Sequence, residues 1–340
     1  MRRHGVNYLI KISNTDISLT CEENETVLEA VERSGYTMPY SCRKGVCLSC
    51  EGELNRGQVE LAGNVETGPN KTVRFCVAKP RSNIEIIPGY IRQSAPPVRR
   101  QFRSTLHRVD RPTEDVSVLH LRLPIGRRVP FRAGQYAKLL LKDGESRNYS
   151  LANPPNDNDV VQLHIRHVPG GRFSSIQLPR LTPGDALDVK LPYGLFLLNE
   201  TSSAPIILLG TGTGFAPLKS MIEDLARRRI GRLVHLFWGG RRESDLYDIE
   251  RANRWAERLP WFQFTPVLSR PVPGWTGETG YVQRTALATY PDLSGVEVYA
   301  CGNPAMIADA RALLSARGGL PEASFFADAF VPSGDTKLSD

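Results

Sequence analysis

The sequence predicts a multidomain chain in three parts: a small α+β unit, an antiparallel β-barrel, and an α/β domain built on a parallel sheet. Three observations carry this. Residues 1–92 run strand, hairpin, helix and then a loop dense in cysteine. Residues 101–200 form a series of short strand-like segments separated by regular turn signals. Residues 201–330 alternate apolar strands with helical segments. A length of 340 residues has room for all three.

In the first unit Tyr8–Ile12 alternates like a strand, and Ile17–Cys21 pairs with it through Asn14-Thr15-Asp16. Glu25-Thr26 opens a helix over Val27–Arg33, with Gly35 as its C-cap. Ile84–Gly89 closes the unit. Residues 93–100, with adjacent prolines and flanking charge, read as an extended spacer. The barrel strands are Val116–Leu123, Tyr136–Leu141, Val160–Arg166 and Ala186–Val189. In the last domain Pro205–Leu209, Leu233–Trp238 and Val296–Cys301 are strands. Pro217–Arg229 and Pro304–Arg317 are helices, and residues 331–340 are a frayed tail.

Charge and composition narrow the function. The net charge of +7 is spread over scattered arginine pairs such as Arg99-Arg100 and Arg127-Arg128, which gives no nucleic-acid track. No window approaches the roughly 18 apolar residues that span a bilayer, so no membrane association is expected. The basic start lacks the apolar run of a secretory signal. Six cysteines are too few for a disulfide scaffold, and four of them have ligand spacing. That fits a reducing compartment and a cytoplasmic protein.

Those four are Cys42, Cys47, Cys50 and Cys76, in the pattern C-x4-C-x2-C followed by a distant fourth. This is the plant-type spacing for a 2Fe-2S cluster. Thiolates are soft ligands, and four satisfy two tetrahedral irons bridged by sulfide. Gly45 lies where a backbone N–H must approach a sulfur closely. Zinc is disfavoured, because it takes two close cysteine pairs and here the second half is a single cysteine. The order of strands, helix and cysteine loop resembles the β-grasp fold of plant-type ferredoxins. Such a cluster carries one electron at a time, so the chain must also hold a source.

Leu209–Pro217 follows a buried strand and opens a helix. Gly212, Thr213 and Gly214 form a turn that lets backbone N–H groups meet a pyrophosphate, and Pro217 suits the first helical turn. The match to G-x-G-x-x-G is imperfect. A second turn, Cys301-Gly302-Asn303-Pro304, again joins a strand to a helix. Together the two resemble the NAD(P) module of the ferredoxin–NADP reductase superfamily. The resemblance implies that Cys301 lies near the nicotinamide ring; a packed strand-end thiol is the alternative. It also implies that the adenosine ribose sits by Trp238–Tyr247. There Arg241 and Arg242 could meet a 2′-phosphate, lie on the surface, or pair with Asp245 or Glu243. NADH is the expected donor, with NADPH open.

Hydride transfer moves two electrons and the cluster accepts one, so a flavin is needed between them. Glu145–Ala152 contains Arg147-x-Tyr149-Ser150, which resembles the R-x-Y-S/T motif of the same superfamily. That resemblance implies that Arg147 meets a flavin phosphate, Tyr149 packs on the ring system and Ser150 sits by its reactive N5. Tyr149, Ser150 and Cys301 are thus the expected catalytic residues. His164, Ile165 and Arg166, then Gly171, Arg172, Phe173 and Ser174, match the family's second flavin segment. The Gly170-Gly171 turn is expected to lead into a serine-capped helix that seats an anion. The domain order implies FAD rather than FMN. Phe330 is either the aromatic that covers the flavin face or a core residue of the last strand.

From about residue 6 to 330 the chain resembles the reductase components of bacterial multicomponent aromatic-ring-hydroxylating dioxygenases. Asp143–Pro155, His164–Ser174 and Pro39–Gly45 carry a likeness to the terephthalate 1,2-dioxygenase reductases. The implied function is electron transfer from NAD(P)H through FAD and the 2Fe-2S cluster to a Rieske-type oxygenase acting on a phthalate-like acid. The alternatives are a reductase for a diiron monooxygenase or a deoxysugar dehydratase, and a carrier or sensor that uses only the cluster.

Overall fold

The computed structural model describes residues 6–94 and 98–331. Ala95–Pro97 of the expected spacer and the tail from Pro332 lie outside the described residues. The chain divides between Val98 and Arg99 into two compact units, and the barrel and the parallel sheet both fall in the second. The spacer is narrower than its composition suggests. Arg92-Gln93 pairs antiparallel with Tyr36-Thr37, and a strand begins again at Arg100.

Among its described residues the first unit holds a five-stranded mixed sheet with one helix packed on it, and two smaller sheets of three and two strands. Asn7–Ile12 pairs antiparallel with Ser18–Glu22 and parallel with Ile84–Pro88. Ile84–Pro88 then pairs with Glu51–Arg56, which pairs with Lys71–Arg74. Alternation along the first strand buries Ile10 and Ile12 and leaves Leu9 exposed. The helix Val27–Arg33 packs Val27, Leu28, Ala30 and Val31 onto that face.

Thr26 starts this helix with a capping box. Its hydroxyl accepts from Glu29 N at 3.3 Å, and the Glu29 carboxylate accepts from Thr26 N at 3.0 Å. At the other end the cap is Ser34, and Gly35 follows it in the left-handed region at φ 79°. The next two free N–H groups of the helix reach outward: Val27 N donates to Ala78 O at 2.9 Å and Leu28 N to Phe75 O at 3.0 Å. The helix start therefore clamps the turn that carries Cys76. Thr26→Ala should lower the stability of this unit by about 1 kcal/mol, read from the urea midpoint of cluster absorbance in the loaded protein. An unchanged midpoint would show that the cap is not needed.

The barrel is a six-stranded antiparallel sheet. In spatial order its strands are Ser146–Ser150, Tyr136–Leu140, Ala186–Tyr193, Arg100–Thr113, Val116–Arg122 and Val160–Arg166. Leu151 bridges to Leu163, and Ala152 N donates to Gln162 O at 2.9 Å, so the two edge strands meet and close the sheet. Leu106, Leu119, Leu139, Leu163 and Val189 are among the side chains that fill the interior.

The last domain is a six-stranded parallel sheet. Ile206–Thr211 lies centrally, between Val234–Gly240 on one side and Glu297–Gly302 on the other. Phe262–Leu268 with Glu278-Thr279, and Phe325–Ala329, extend the two edges. A sheet that grows both ways from its first strand opens a crevice at the carboxyl ends of its strands.

Candidate functional site

The cysteine loop is coiled by three left-handed residues, Arg43 at φ 54°, Gly45 at 71° and Leu48 at 60°. Gly45 is also pressed on Val77, where a Cβ would come to 3.0 Å. The coiling turns amides inward: Lys44 N approaches Cys42 Sγ at 3.3 Å and Cys42 N approaches Cys47 Sγ at 3.5 Å. Arg43 latches the loop outward, ion-paired to Glu32 on the helix and stacked on Tyr40 at 4.4 Å.

All four thiols are buried and form no disulfide. They stand as two hydrogen-bonded pairs, Cys42 with Cys47 and Cys50 with Cys76. Within each pair the donated S–H stabilises the acceptor's thiolate and lowers the pKa of Cys47 or Cys50. Among the described residues no three ligating groups converge as one metal ion requires. Two soft-ligand pairs suit two irons better than one tetrahedral zinc. Ser41 Oγ, beside Cys42, is buried without a protein partner, which leaves its hydroxyl for a cluster sulfur. The donor set fits a 2Fe-2S cluster.

In the second unit Arg147 lies on the Ser146–Ser150 strand, its side chain largely buried. It donates to Glu145 at 2.7 Å, and Arg172 donates to the same carboxylate at 3.2 Å. Two guanidiniums from two separate motifs thus converge on one anion, and a flavin phosphate can take the place of that carboxylate. Tyr149 packs against Phe173 at 6.1 Å, and burial raises its hydroxyl pKa. Ser150 is buried opposite Tyr136. This cradle fits a flavin.

The side chains of the segment at His164 go in different directions. His164 Nδ1 bonds the Tyr247 hydroxyl at 2.7 Å, and burial holds the imidazole well below its ordinary pKa and so neutral. Ile165 fills the barrel core. Arg166 points to the nucleotide sheet. Successive side chains on a strand alternate faces, so Ile165 turns into the barrel core while His164 and Arg166 share the other face, bonded to Tyr247 and to Asp245. The expected serine-capped helix is a short turn, Arg172–Gln177, capped by Gly171. Ser174 lies inside it, and its hydroxyl accepts from Val168 N at 3.1 Å. Phe173 is a core residue of the barrel.

A cavity of about 830 Å³ opens at the carboxyl ends of the parallel strands. Gly212, Thr213, Gly302, Asn303 and Pro304 line it, as the two turns predict. Gly302 stands at φ 136°, and a Cβ there would strike Thr211; a Cβ on Gly214 would strike the Cys301 carbonyl. The two glycines let the strand ends touch, and Asn303 N donates to Thr211 Oγ1 at 3.0 Å. Asn303 also caps the helix Pro304–Gly318, accepting from Ala305 N at 2.8 Å. Pro217 lies in the first turn of the helix Phe215–Arg228, away from the cavity wall. Cys301 is fully buried against the core and does not reach that wall. Phe330 does reach it, anchored by its N–H to Gly302 O at 2.8 Å.

Asp245 organises the turn that leaves the strand Val234–Gly240. It accepts from Arg241 N at 2.8 Å, Arg242 N at 3.1 Å and the Arg166 guanidinium at 2.9 Å. Burial works against its charge, but the amides of Arg242 and Arg241 and the Arg166 guanidinium hold the carboxyl below its ordinary range. Arg241 and Arg166 line the cavity, and the exposed Arg242 does not. The sequence reading did not single out Ser269, Tyr281, Gln283 or Asp309, which also line it. The available signal was Thr279-Gly280-Tyr281, a turn that leaves a large aromatic exposed beside Arg284.

Three family matches follow this geometry. Residues 10–81 match the 2Fe-2S iron-sulfur cluster binding domain, 104–197 the oxidoreductase FAD-binding domain and 208–312 the oxidoreductase NAD-binding domain. The chain is 38% identical over 339 residues to reductase component 2 of terephthalate 1,2-dioxygenase from Comamonas sp., covering 97% of this chain and 99% of that one. It is 37% identical over 328 residues to the CDP-6-deoxy-L-threo-D-glycero-4-hexulose-3-dehydrase reductase of Yersinia pseudotuberculosis, covering 95% and 98%. Among solved structures, the cytochrome P450 reductase of Amycolatopsis superposes with a TM-score of 0.74 at 30% identity, covering 96% of this chain and 99% of that one.

Proposed function

Because the chain belongs to the family of iron–sulfur flavoprotein reductases that includes the terephthalate 1,2-dioxygenase reductases, we propose that its protein acceptor is a Rieske-type oxygenase acting on an aromatic acid of the phthalate or terephthalate kind. The chain is an oxidoreductase that moves electrons from NAD(P)H through FAD to a 2Fe-2S cluster and on to a protein partner. Bound FAD supplies the exchange between a two-electron donor and a one-electron cluster. The two oxidoreductase domains set aside a carrier that uses only the cluster. No helix among the described residues is long and apolar enough to cross a membrane. Six cysteines without a disulfide fit a cytoplasmic setting.

The chain's own residues divide the work. The glycine turns at 212 and 302 admit the dinucleotide backbone and offer it amides. Arg147 and Arg172 hold the flavin phosphate, and Tyr149 and Ser150 line its ring. Phe330, fixed at the cavity wall, is the side chain that an entering nicotinamide must pass. The Cys42–Cys50 loop and Cys76 hold the cluster, shielded from water by burial.

The observation that carries the oxygenase assignment is the 38% identity along the whole chain to a terephthalate dioxygenase reductase. Reconstitution with purified oxygenase components tests it: NADH-dependent dihydroxylation with a Rieske partner is expected. Turnover only with a deoxysugar dehydratase or a diiron monooxygenase would replace the assignment. The nearly equal identity to the dehydrase reductase keeps that reading in the comparison.

NADH is the assigned donor, because a 2′-phosphate beside Arg241 would also meet the Asp245 carboxylate 3.8 Å from that guanidinium. Arg241→Ala should lower kcat/KM for NADPH by roughly fivefold, the worth of one exposed ion pair, and change NADH use less. Arg242→Ala should treat both alike. Equal effects of Arg241→Ala on the two donors would remove it as a phosphate contact.

A further inference from the structure

The helix that follows the glycine turn carries a lysine with almost no access to water. Lys219 is 3% exposed, one helical turn beyond Phe215. Its ammonium donates to Ala152 O at 2.9 Å, to Gln162 Oε1 at 3.1 Å and to Glu223 Oε2 at 2.9 Å. All three protons are used. Only Glu223 belongs to the same helix, and the other two acceptors belong to the barrel. The next residue repeats the pattern: Ser220, fully buried, donates to Asn153 O at 2.7 Å.

Ala152 and Asn153 lie two and three residues beyond Ser150. On the opposite side the same segment is tied to the strand Val160–Arg166. Ala152 N donates to Gln162 O, the Asn153 amide nitrogen reaches Val160 O at 3.1 Å, and its oxygen accepts from Gln162 N at 2.9 Å. The segment leaving the flavin strand is therefore held between the barrel wall and the first two turns of the nucleotide helix. That helix begins where the glycine turn Gly212–Gly214 ends.

A buried ammonium is an expensive way to fill this space. Well-packed apolar residues serve stability as well as a buried ion pair does, often better. Hydrogen bonds to fixed carbonyls add direction, which packing alone does not. We propose that Lys219 and Ser220 are positioning residues for hydride transfer, fixing the nucleotide helix in register with the end of the flavin strand so that the nicotinamide meets the flavin at reacting distance. The inference rests on the reading that the flavin lies on Ser146–Ser150 and the dinucleotide in the glycine-lined cavity.

The test is anaerobic stopped-flow reduction of the full, flavin-loaded chain by NADH and by NADH deuterated at the transferred position. In Lys219→Met the flavin-reduction rate should fall about 10- to 100-fold, as expected for a misplacement near 1 Å. The NADH dependence should move less than about threefold, flavin content should hold, and the isotope effect should rise. Hydrogen exchange at Leu151–Asn153 should quicken. Ser220→Ala, which leaves no buried charge behind, should shift rate and isotope effect in the same direction by a smaller amount. Wild-type rate and isotope effect in Lys219→Met overturn the proposal; if that variant does not fold, wild-type behaviour of Ser220→Ala does so. Arg147→Ala run alongside separates the two readings. Flavin loss there, with normal kinetics in Lys219→Met, sinks the positioning role alone. Full flavin retention sinks the site reading beneath it.

Discussion

Cys76→Ser is expected to abolish the cluster and electron delivery to a protein acceptor, while NADH-driven reduction of ferricyanide stays within about twofold of the parent. Cys76 is the one ligand outside the Cys42–Cys50 loop, on a turn clamped by Val27 N and Leu28 N. A serine hydroxyl is a hard donor that ionises far less readily than a thiol, so the pair with Cys50 loses its hold on one iron. The flavin cradle and the glycine-lined cavity lie wholly within the unit that begins at Arg99, so a small oxidant can still draw electrons there. Iron and sulfide content, the visible spectrum and paired ferricyanide and cytochrome c assays read the result. Parallel loss of both activities would show that the modules are not separable.

Arg147→Ala is expected to weaken flavin retention by about 10- to 100-fold, the worth of one hydrogen bond to a charged group. The argument rests on the shared carboxylate. Arg147 and Arg172 come from motifs 25 residues apart, and both bind Glu145. Removing Arg147 leaves Arg172, which is more than half exposed and more heavily screened by water. Arg147→Lys should recover part of the affinity, because a point charge cannot reproduce the planar fork. Flavin content after gel filtration and fluorescence titration of the apoprotein measure this. Unchanged content in Arg147→Ala would refute the role.

Motifs with fixed local geometry were legible in the sequence. The cysteine spacing, the two glycine turns, Thr26 as helix cap and Asn303-Pro304 as helix start each state their structure within a few residues. The strand Val160–Arg166 was also legible and has its expected bounds, whereas the longest barrel strand, Arg100–Thr113, was not, because charged residues interrupt its apolar positions. Direction was not. R-x-Y-S and the segment at His164 read alike as flavin contacts, yet alternation in the strand turns Arg166 toward the dinucleotide cavity and Ile165 into the core.

The strand Phe262–Leu268 was missed because Pro266 stands in it, and proline argues against an inner strand. The cavity residues Ser269, Tyr281, Gln283 and Asp309 come from three places along the chain, and only the assembled sheet gathers them. In the sequence Lys219 is one charged residue in a helix that also carries Glu223, Asp224, Arg227 and Arg228. Its burial depends on a barrel segment more than sixty residues away, which local sequence does not encode.

The relay itself is tested most directly by mixing the oxidised protein anaerobically with NADH and following flavin and cluster absorbance in one trace. Flavin bleaching should come first and cluster bleaching second, with the second phase missing in Cys76→Ser and both phases missing in protein stripped of flavin. Cluster reduction by NADH in flavin-free protein would contradict the order of transfer from which the whole account is built.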